Sequence, residues 1–182
     1  PDGLTTMMDY QWRATGSVPV SVTGPDGLSS SVECDGAGRM IASTDPAGRR
    51  VSVTRDVVGR VVETMDATGA VEVTKFSPEG WPYQVIHADG TSRSARFDGE
   101  GNLVSVTDEL GNTSTTEFTV FDKPLVSVDA TGAATRLVYN TQMEPTGVIN
   151  ADGHVWSFTR DLDGQVVCER DYNGMVTRFA SS

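Results

Sequence analysis

The residues of this chain best suited to chemistry are carboxylates that recur beside glycines. Calcium is bound by carboxylate oxygens together with backbone carbonyls, so the pattern suggests a calcium site. However, the sequence contains neither an EF-hand loop nor a Gly-Gly-x-Gly-x-Asp nonapeptide. An aspartate can instead accept hydrogen bonds within its own turn, which favours a turn-forming role and no metal site. The carboxylates concerned are Asp35, Asp56, Asp98, Asp161 and Asp163.

The histidines and cysteines do not predict a zinc site. Zinc needs three or four converging ligands, whereas Cys34 and Cys168 occupy non-equivalent strand positions, and His87 and His154 lie near turns. The sequence also lacks a Gly-x-Ser-x-Gly elbow and a glycine-rich loop that opens a helix. We therefore expect no catalytic residue, no cofactor and no bound metal, and we rank an enzymatic function last.

Tryptophan and tyrosine side chains leave a recognition surface open as an alternative. Exposed aromatic rings could bind carbohydrate or a cell-surface partner, but such rings also pack in cores and at hairpin ends, which is the interpretation we favour. The glycosylation sequon Asn112-Thr113-Ser114 matters only in a eukaryotic secretory setting. The rings concerned are Tyr10, Trp12, Trp81, Tyr83, Trp156 and Tyr172.

Length and charge narrow the class of protein. The 182 residues suit one domain, and the formal net charge of −11 argues against a nucleic-acid surface, which is normally basic. No apolar run approaches the ~18 residues of a membrane-spanning helix, so we expect no membrane span. The chain begins at Pro1 without a signal segment, which suggests a segment of a longer protein.

Glycines at a regular spacing organise the whole chain. A first series recurs every 21 residues seven times in succession, and a second series lies 11 residues into the units. Gly3 precedes the first series by 24 residues, so the first unit has three extra residues, which we expect around Trp12 to Thr15. The first series is Gly27, Gly48, Gly69, Gly90, Gly111, Gly132, Gly153 and Gly174; the second is Gly38, Gly59, Gly80, Gly101 and Gly164.

The residues between the glycines are strand formers. Segments such as 51–54, 61–64 and 103–107 are rich in β-branched residues. The turns themselves have the composition of type I turns, with aspartate first and a glycine that tolerates positive φ. Each 21-residue unit is therefore predicted to be a β-hairpin in an all-β antiparallel meander. The aspartates that open first-series turns in this way are Asp45, Asp66, Asp108 and Asp129.

The first strand of each hairpin alternates with a period of two. The fifth and seventh residues after a first-series glycine are the buried positions by pattern, and the residues between them are mostly polar. The seventh position carries an aromatic row, which we expect to hold the curvature of the sheet. Equivalent rings are two strands apart, about 9.6 Å, so other residues must lie between them. The aromatic row is Phe76, Phe97, Phe118 and Tyr139.

The second strands show no single apolar face, so either both faces are partly covered or the sheet bends sharply. One side of an ideal strand would carry Ile41, Val62, Tyr83, Val104 and Leu125; the other would carry Val61, Met65, Ile86, Val126 and Val128. Prolines recur at one equivalent position, which predicts strand starts at Pro82, Pro124 and Pro145. Asp122 and Met143 replace second-series glycines, so these two turns are predicted to differ from the others.

The number of predicted strands has consequences for the sheet. About 16 strands would give a width of roughly 77 Å, and open sheets rarely exceed ~10 strands without curling. We therefore expect a curved wall or a closed tube. Strand edges that remain unpaired could associate with each other or with further chain.

A 21-residue unit with an aromatic-Asp pair, then Gly-Arg, then Asp before a turn glycine resembles the RHS/YD repeat. The resemblance extends from about Gly27 to Ser182, after a divergent first unit. We therefore divide the chain into a divergent unit, 1–25, and regular units, 26–182, in one array of about eight repeats. The motifs that carry the resemblance are Asp35-Gly36-Ala37-Gly38-Arg39, Asp56-Val57-Val58-Gly59-Arg60, Phe97-Asp98-Gly99-Glu100-Gly101-Asn102 and Tyr139-Asn140.

The resemblance implies a structural function. In bacterial RHS proteins and insecticidal ABC toxin complexes, YD repeats spiral into a hollow β-shell around a C-terminal toxin domain, which many members release by self-cleavage. Teneurins use a similar shell in an extracellular adhesion receptor. This sequence lacks the family's Asp-Pro-containing cleavage motif, a toxin domain and delivery modules, so we expect a non-catalytic wall segment of a secreted bacterial toxin. Its expected partners are flanking repeats and the enclosed toxin domain.

Overall fold

The computed structural model describes residues 6–13 and 16–179. Within these residues every strand pairing is antiparallel and no helix is present, which confirms the predicted all-β hairpin fold. In the described part of the chain, accordingly, no helix is long and apolar enough to cross a membrane. The chain divides into two compact units, Pro1–Ser92 and Arg93–Ser182.

In the first unit each strand pairs with the next one along the chain. From β3 onward, strands of six residues alternate with strands of five. Two such strands and two turns account for the 21-residue spacing of the glycines. The strands are β1 (Met7–Arg13), β2 (Gly16–Thr23), β3 (Ser29–Cys34), β4 (Met40–Thr44), β5 (Arg50–Arg55), β6 (Val61–Met65), β7 (Val71–Phe76) and β8 (Pro82–Ile86).

The second unit repeats this arrangement, with consecutive antiparallel pairing from β9 to β17. Its first strand begins one residue before the boundary between the units. The strands are β9 (Ser92–Phe97), β10 (Leu103–Thr107), β11 (Thr113–Phe118), β12 (Pro124–Val128), β13 (Ala134–Tyr139), β14 (Pro145–Ile149), β15 (Val155–Arg160), β16 (Val166–Arg170) and β17 (Val176–Arg178).

The first hairpin is longer than the others. Strands β1 and β2 have seven and eight residues, so longer strands accommodate part of the predicted insertion. The remainder of that insertion, residues 14–15, and the predicted turn glycine Gly3 lie outside the described residues. The three prolines do begin strands, namely β8, β12 and β14, as predicted from the missing N–H donor.

A β-bulge recurs at the start of every second strand from β4 to β16. In the β5–β6 pair, for example, Arg55 pairs with Val61 and Thr54 with Glu63, which leaves Val62 as the extra residue. A bulge bends its strand and increases the local twist. The bulge residues are Ile41, Val62, Tyr83, Val104, Leu125, Thr146 and Val167.

The bulges correct the predicted faces of the second strands. Directly opposite residues of an antiparallel pair share a face of the sheet. Val61 pairs with Arg55, in the column of the aromatic row, whereas Met65 pairs with Ser52 on the other face. The prediction that Val61 and Met65 share a face was therefore wrong, because it assumed uninterrupted alternation. Of the two alternatives, partial cover on both sides is found, since Val85 and Ile86 pair on opposite faces and are both half-buried.

Almost nothing in the described residues is fully buried. Ala42, with 2% of its surface exposed, is the one buried hydrophobic side chain, and Gly147 occupies the equivalent position five repeats later. The aromatic row is half-buried, while the residue before each ring is exposed, as the alternation predicted. Each unit is therefore a layer of paired strands without a separate core, so backbone pairing and contacts between adjacent hairpins hold it together.

Candidate functional site

All fifteen turns of the described chain share one backbone geometry. The N–H of the first residue donates to the carbonyl oxygen four residues later, and the N–H of the fourth residue donates back to the carbonyl of the first. In one such turn, Asp56 N to Arg60 O and Gly59 N to Asp56 O are both 2.9 Å. This is a type I turn followed by a left-handed residue, a common three-residue hairpin connection.

The side chain of the aspartate at the first position of a turn accepts hydrogen bonds from backbone N–H groups of the same turn. Asp66 accepts hydrogen bonds at Oδ1 from the backbone of Thr68 at 2.8 Å and of Ala70 at 3.0 Å. The same pair of bonds occurs at Asp45, Asp108 and Asp129, the other three aspartates singled out in the sequence. These carboxylates thus satisfy turn amides that would otherwise have no protein partner.

The thirteen turn glycines singled out in the sequence all have positive φ, between 77° and 101°. Asp122 and Met143 adopt the same conformation, with φ of 57° and 60°. Their N–H groups make the usual turn bonds to Thr119 and Asn140, both 3.1 Å. The prediction that these two turns differ was therefore wrong: the flanking strands impose the turn, and a non-glycine residue tolerates the left-handed conformation at a cost.

We call the turns closed by Gly38, Gly59, Gly80, Gly101, Asp122, Met143 and Gly164 the second-series turns. Neighbouring second-series turns are linked by the residue that follows the glycine position. Arg60 donates from Nε to Asp56 of its own turn at 2.7 Å and lies over the ring of Phe76 in the next hairpin, 4.7 Å from its centroid. A guanidinium over an aromatic face is attractive, so Arg60 connects two repeats.

Other second-series turns make the same connection with different chemistry. Asn102 donates from Nδ2 to Asp98 of its own turn at 3.0 Å and to Asp122 of the next turn at 2.8 Å. The carboxylate of Glu144 lies so close to Gly164 that a Cβ there would be 2.8 Å from Oε1. The second-series edge is therefore the place where repeats contact each other through side chains.

The column of the aromatic row takes part in this edge. Tyr139 donates its hydroxyl to the carbonyl of Pro124, 15 residues earlier, at 2.7 Å. Arg55 and Arg160 occupy the same column in other repeats, and each donates to a carbonyl 15 residues earlier, on Met40 and Pro145 respectively. Each arginine also donates to the carbonyl of its own turn, at 2.9 and 2.8 Å.

Arg55 and Arg160 make contacts that our reading of the sequence missed, whereas Arg60 was noted only as part of the repeat motif. Arg55 and Arg160 sit at the 21-residue spacing of the aromatic row, which is the signal that could have identified them. A pattern search for aromatics passes over arginine, although both residue types can reach the neighbouring strand start.

Hydrogen bonding lowers the pKa of several turn aspartates. At Asp66 and Asp129 the largest cause is the hydroxyl of Thr68 or Thr131, followed by turn amides. At Asp45 the backbone N–H of Arg49 lowers the pKa most, followed by its guanidinium. These carboxylates are consequently held ionised and already bound to donors, which does not suit a general base.

The candidate metal ligands are not brought together. In the residues that the structure describes, no three His, Cys, Asp or Glu side chains converge as a metal site would require. His87 contacts Glu72, with Nδ1 3.0 Å from Oε2, and Cys34 and Cys168 lie on the separate strands β3 and β16. The aspartates considered for calcium, such as Asp35 and Asp161, bind amides of their own turns.

The aromatic residues considered for sugar binding have different environments. Trp156 packs against Tyr172, with ring centroids 5.4 Å apart, and against Phe158. Its indole nitrogen is buried without a hydrogen-bond partner, so a sugar hydroxyl cannot reach it in this conformation. Trp12 and Tyr10 on β1 are instead well exposed. Core packing accounts for Trp156 but not for these two.

A groove of about 550 Å³ opens between two second-series turns, 140–144 and 161–165. Arg160 in this groove donates to two backbone carbonyls, Asp161 accepts from turn amides, and Glu144 accepts from Asn140. The groove belongs to the connection between repeats and presents no free converging groups for catalysis.

The chain is similar to known proteins that contain repeats of this kind. A model of the RHS repeat matches residues 19–50. The probable deoxyribonuclease RhsA of Dickeya dadantii (strain 3937) is 32% identical over 99 residues, which make up 54% of this chain and 7% of that protein. The probable deoxyribonuclease RhsB of the same organism is 31% identical over 99 residues. The chain thus corresponds to a small part of these relatives.

Solved structures share the fold. The crystal structure of TcdB2-TccC3 superposes with a TM-score of 0.67 at 14% identity, covering 98% of this chain and 11% of that one. The crystal structure of TcdB2-TccC3-Cdc42 gives a TM-score of 0.55, also at 14% identity, over 97% of this chain and 12% of that one. The glycine-punctuated hairpins, the matched repeat and the Rhs relatives together support the RHS/YD-repeat family for this chain.

Proposed function

We propose that this chain is a non-catalytic wall segment of a secreted bacterial RHS/YD-repeat toxin and helps to enclose and deliver a C-terminal toxin domain. The observation that carries the proposal is the link from turn to turn along the second-series edge, as at Arg60 and Phe76. Such links tie each hairpin to the next, and an array of this kind grows by adding repeats.

The exposure of the strands supports a wall. Both faces of the second strands carry apolar residues that remain partly exposed, and buried positions are confined to Ala42 and Gly147 in the described residues. A wide antiparallel sheet also tends to curl. On this proposal residues 1–182 form a single array of about eight repeats, with a divergent first unit over 1–25, and pair with flanking repeats of the parent chain.

The proposal places the toxic activity elsewhere in the parent protein. The relatives are named probable deoxyribonucleases as whole proteins, and this chain corresponds to 7% of their length. The turn carboxylates are already bound to amides, so we assign this chain no nuclease chemistry and no cofactor. The toxin domain would be a partner of the wall, and the whole would act outside the producing cell.

Limited proteolysis of the full-length protein that contains this chain tests enclosure. We expect the C-terminal domain to resist trypsin in the intact protein and to be digested after deletion of residues 45–86, which removes two repeats. A matched control, Arg49→Ala on an exposed turn, should keep the protection. Equal digestion of the C-terminal domain in the intact and deleted proteins would contradict the wall.

A recognition module is the second candidate, and the exposure of β1 favours it. Tyr10 and Trp12 are 57% and 82% exposed, and exposed rings of this kind bind sugars or protein partners. A glycan array probed with the purified chain distinguishes the two functions. Binding that is lost in Trp12→Ala and kept in Trp156→Ala would support recognition, whereas no glycan binding would remove this candidate.

A further inference from the structure

Charge is divided unevenly between the turns and the strands. The fifteen five-residue turns contain 18 of the 25 carboxylates and only four of the 14 cationic side chains. The described strands contain six carboxylates and ten cationic side chains. The net charge of −11 therefore arises at the turns, and the strands carry a small net positive charge.

In the second unit the positive charge of the strands is concentrated on one face. Cross-strand partners share a face, as do alternate residues of a strand. Pairing places Arg96 on the same face as Glu117, through Ser105 and Thr115. Glu117 leads through Val126 to Arg136. We call this the basic face, defined by Arg96, Arg136, Arg170 and Arg178.

The register extends the basic face to the end of the unit. Val138, two residues from Arg136, pairs with Gly147, then Ser157, then Arg170. Cys168, two residues from Arg170, pairs with Arg178. All four guanidinium groups are exposed, and none has an ion pair in the described part of the chain. Glu117 is the one carboxylate on this face of the described strands of the second unit.

The corresponding face of the first unit is electrically balanced. From β3 to β8 it carries Arg50 and Lys75 together with Glu33 and Glu63, and Arg50 is bound to Glu33. The first unit thus offers a control with the same fold and the same face of the strands but no excess of cations.

We propose that the basic face of the second unit binds an extended acidic polypeptide. This goes beyond the wall proposed above, which specifies no contact on this face. Six-residue strands are about 20 Å long, and acidic turns flank the face at both ends. Duplex nucleic acid or an anionic membrane would extend over those acidic turns. The turns would repel such a partner, because charges interact within a Debye length of about 8 Å. A single extended polypeptide crossing the strands fits between them.

Binding of a fluorescent 20-residue poly-glutamate peptide to the 182-residue chain tests this interaction. At low salt we expect saturable binding that weakens as salt is added. Replacing all four arginines of the basic face with glutamine should weaken binding at least about tenfold, since each exposed ion pair contributes a little. The matched control, Arg50→Gln with Lys75→Gln in the first unit, should change the affinity less than about twofold.

Three outcomes would overturn the proposal. The first is absence of poly-glutamate binding at low salt by a chain whose circular dichroism shows intact β-structure. The second is equal loss of binding in the first-unit control, which would indicate attraction to net charge alone. The third is tighter binding of a duplex oligonucleotide or of phosphatidylserine vesicles than of the peptide, which would assign the basic face to that partner.

Discussion

The two turn edges of the hairpins have the same backbone but different surroundings. At all eight first-series glycines, an added Cβ would have nothing within 4 Å. In the second series, the same atom would collide with Nη1 of Arg39 at Gly59, and it would lie 2.8 Å from Glu144 at Gly164. Glycine is thus suited to both edges by its φ, whereas at Gly59 and Gly164 a side chain would also have to displace the flexible end of Arg39 or Glu144.

This difference indicates a division of labour between the edges. A first-series turn reverses the chain, and its side chains mostly bind within that turn. A second-series turn also holds its neighbour, through Arg60 and Phe76 or through Asn102 and Asp122. The recurring bulges, such as Val62, lie next to the second-series edge. Additional twist and contacts between repeats are therefore concentrated on one side of each unit.

The largest expected difference in stability between the two edges concerns two arginines that make the same hydrogen bond to an aspartate of their own turn. Arg60 and Arg49 each donate from Nε to the aspartate four residues earlier, at 2.7 and 2.6 Å, but their side chains are 34% and 74% exposed. Arg60→Ala should lower the free energy of unfolding by about 1–2 kcal/mol, because it also removes the contact with Phe76. Arg49→Ala should change it little. Urea denaturation measures both, and equal effects would contradict the division of labour.

Alanine at a turn glycine separates the effect of φ from that of space. Gly69→Ala should destabilise the chain by about 1 kcal/mol through the left-handed conformation alone. Gly59→Ala should destabilise the chain slightly more, since the exposed end of the flexible Arg39 side chain must also move. The comparison of urea midpoints tests this, and a smaller loss for Gly59→Ala than for Gly69→Ala would refute the role of space.

Met143 offers the opposite experiment, a gain in stability. Its φ of 60° is strained for a side chain with a Cβ, so Met143→Gly should stabilise the chain by about 1 kcal/mol. Asp122→Gly relieves similar strain but removes the hydrogen bond from Asn102, so its net effect should be smaller. Thermal unfolding of both variants distinguishes them; a destabilised Met143→Gly would show that the turn does not have this geometry in solution.

A smaller effect is expected at the hydroxyl of Tyr139. Tyr139→Phe keeps the ring but removes the hydrogen bond to Pro124, which should cost about 0.5–1 kcal/mol. Phe118 occupies the same column and lacks a hydroxyl. The variant Phe118→Tyr should therefore add a hydrogen bond like that of Tyr139 and gain stability. Hydrogen exchange near the two strand starts reports on each change, and unchanged exchange in both variants would show that the bond contributes nothing.

Lowering the pH should destabilise the turns on both edges. For any single residue, this is the smallest of the expected changes in the free energy of unfolding. The lowered pKa of Asp66, caused first by the hydroxyl of Thr68, means that its contribution is present above the ordinary carboxyl pKa of about 4 and is lost as pH falls below it. Asp66→Asn with Asp129→Asn should reduce the loss of stability between pH 5 and pH 2.5, because Asn140 and Asn150 show that an amide oxygen accepts the same two bonds. Identical urea midpoints against pH would contradict this.

Prediction from sequence succeeded where the physics is local. Turn composition and strand propensity act within a few residues, so the hairpin fold and the strand starts at Pro82, Pro124 and Pro145 were predictable. The predicted face of Val61 failed, because a bulge depends on the pairing of two strands and not on one. The turns at Asp122 and Met143 failed for a related reason, since the strands on either side fix the turn.

The sequence by itself determined that this chain is an array of antiparallel hairpins, since glycine spacing and turn aspartates specify each reversal locally. Only the tertiary structure decided which edge joins the repeats, because Arg60 and Phe76 are 16 residues apart in sequence and meet only when hairpins lie side by side. It likewise decided that four arginines of the second unit share a face, since a single bulge changes the face of every residue beyond it.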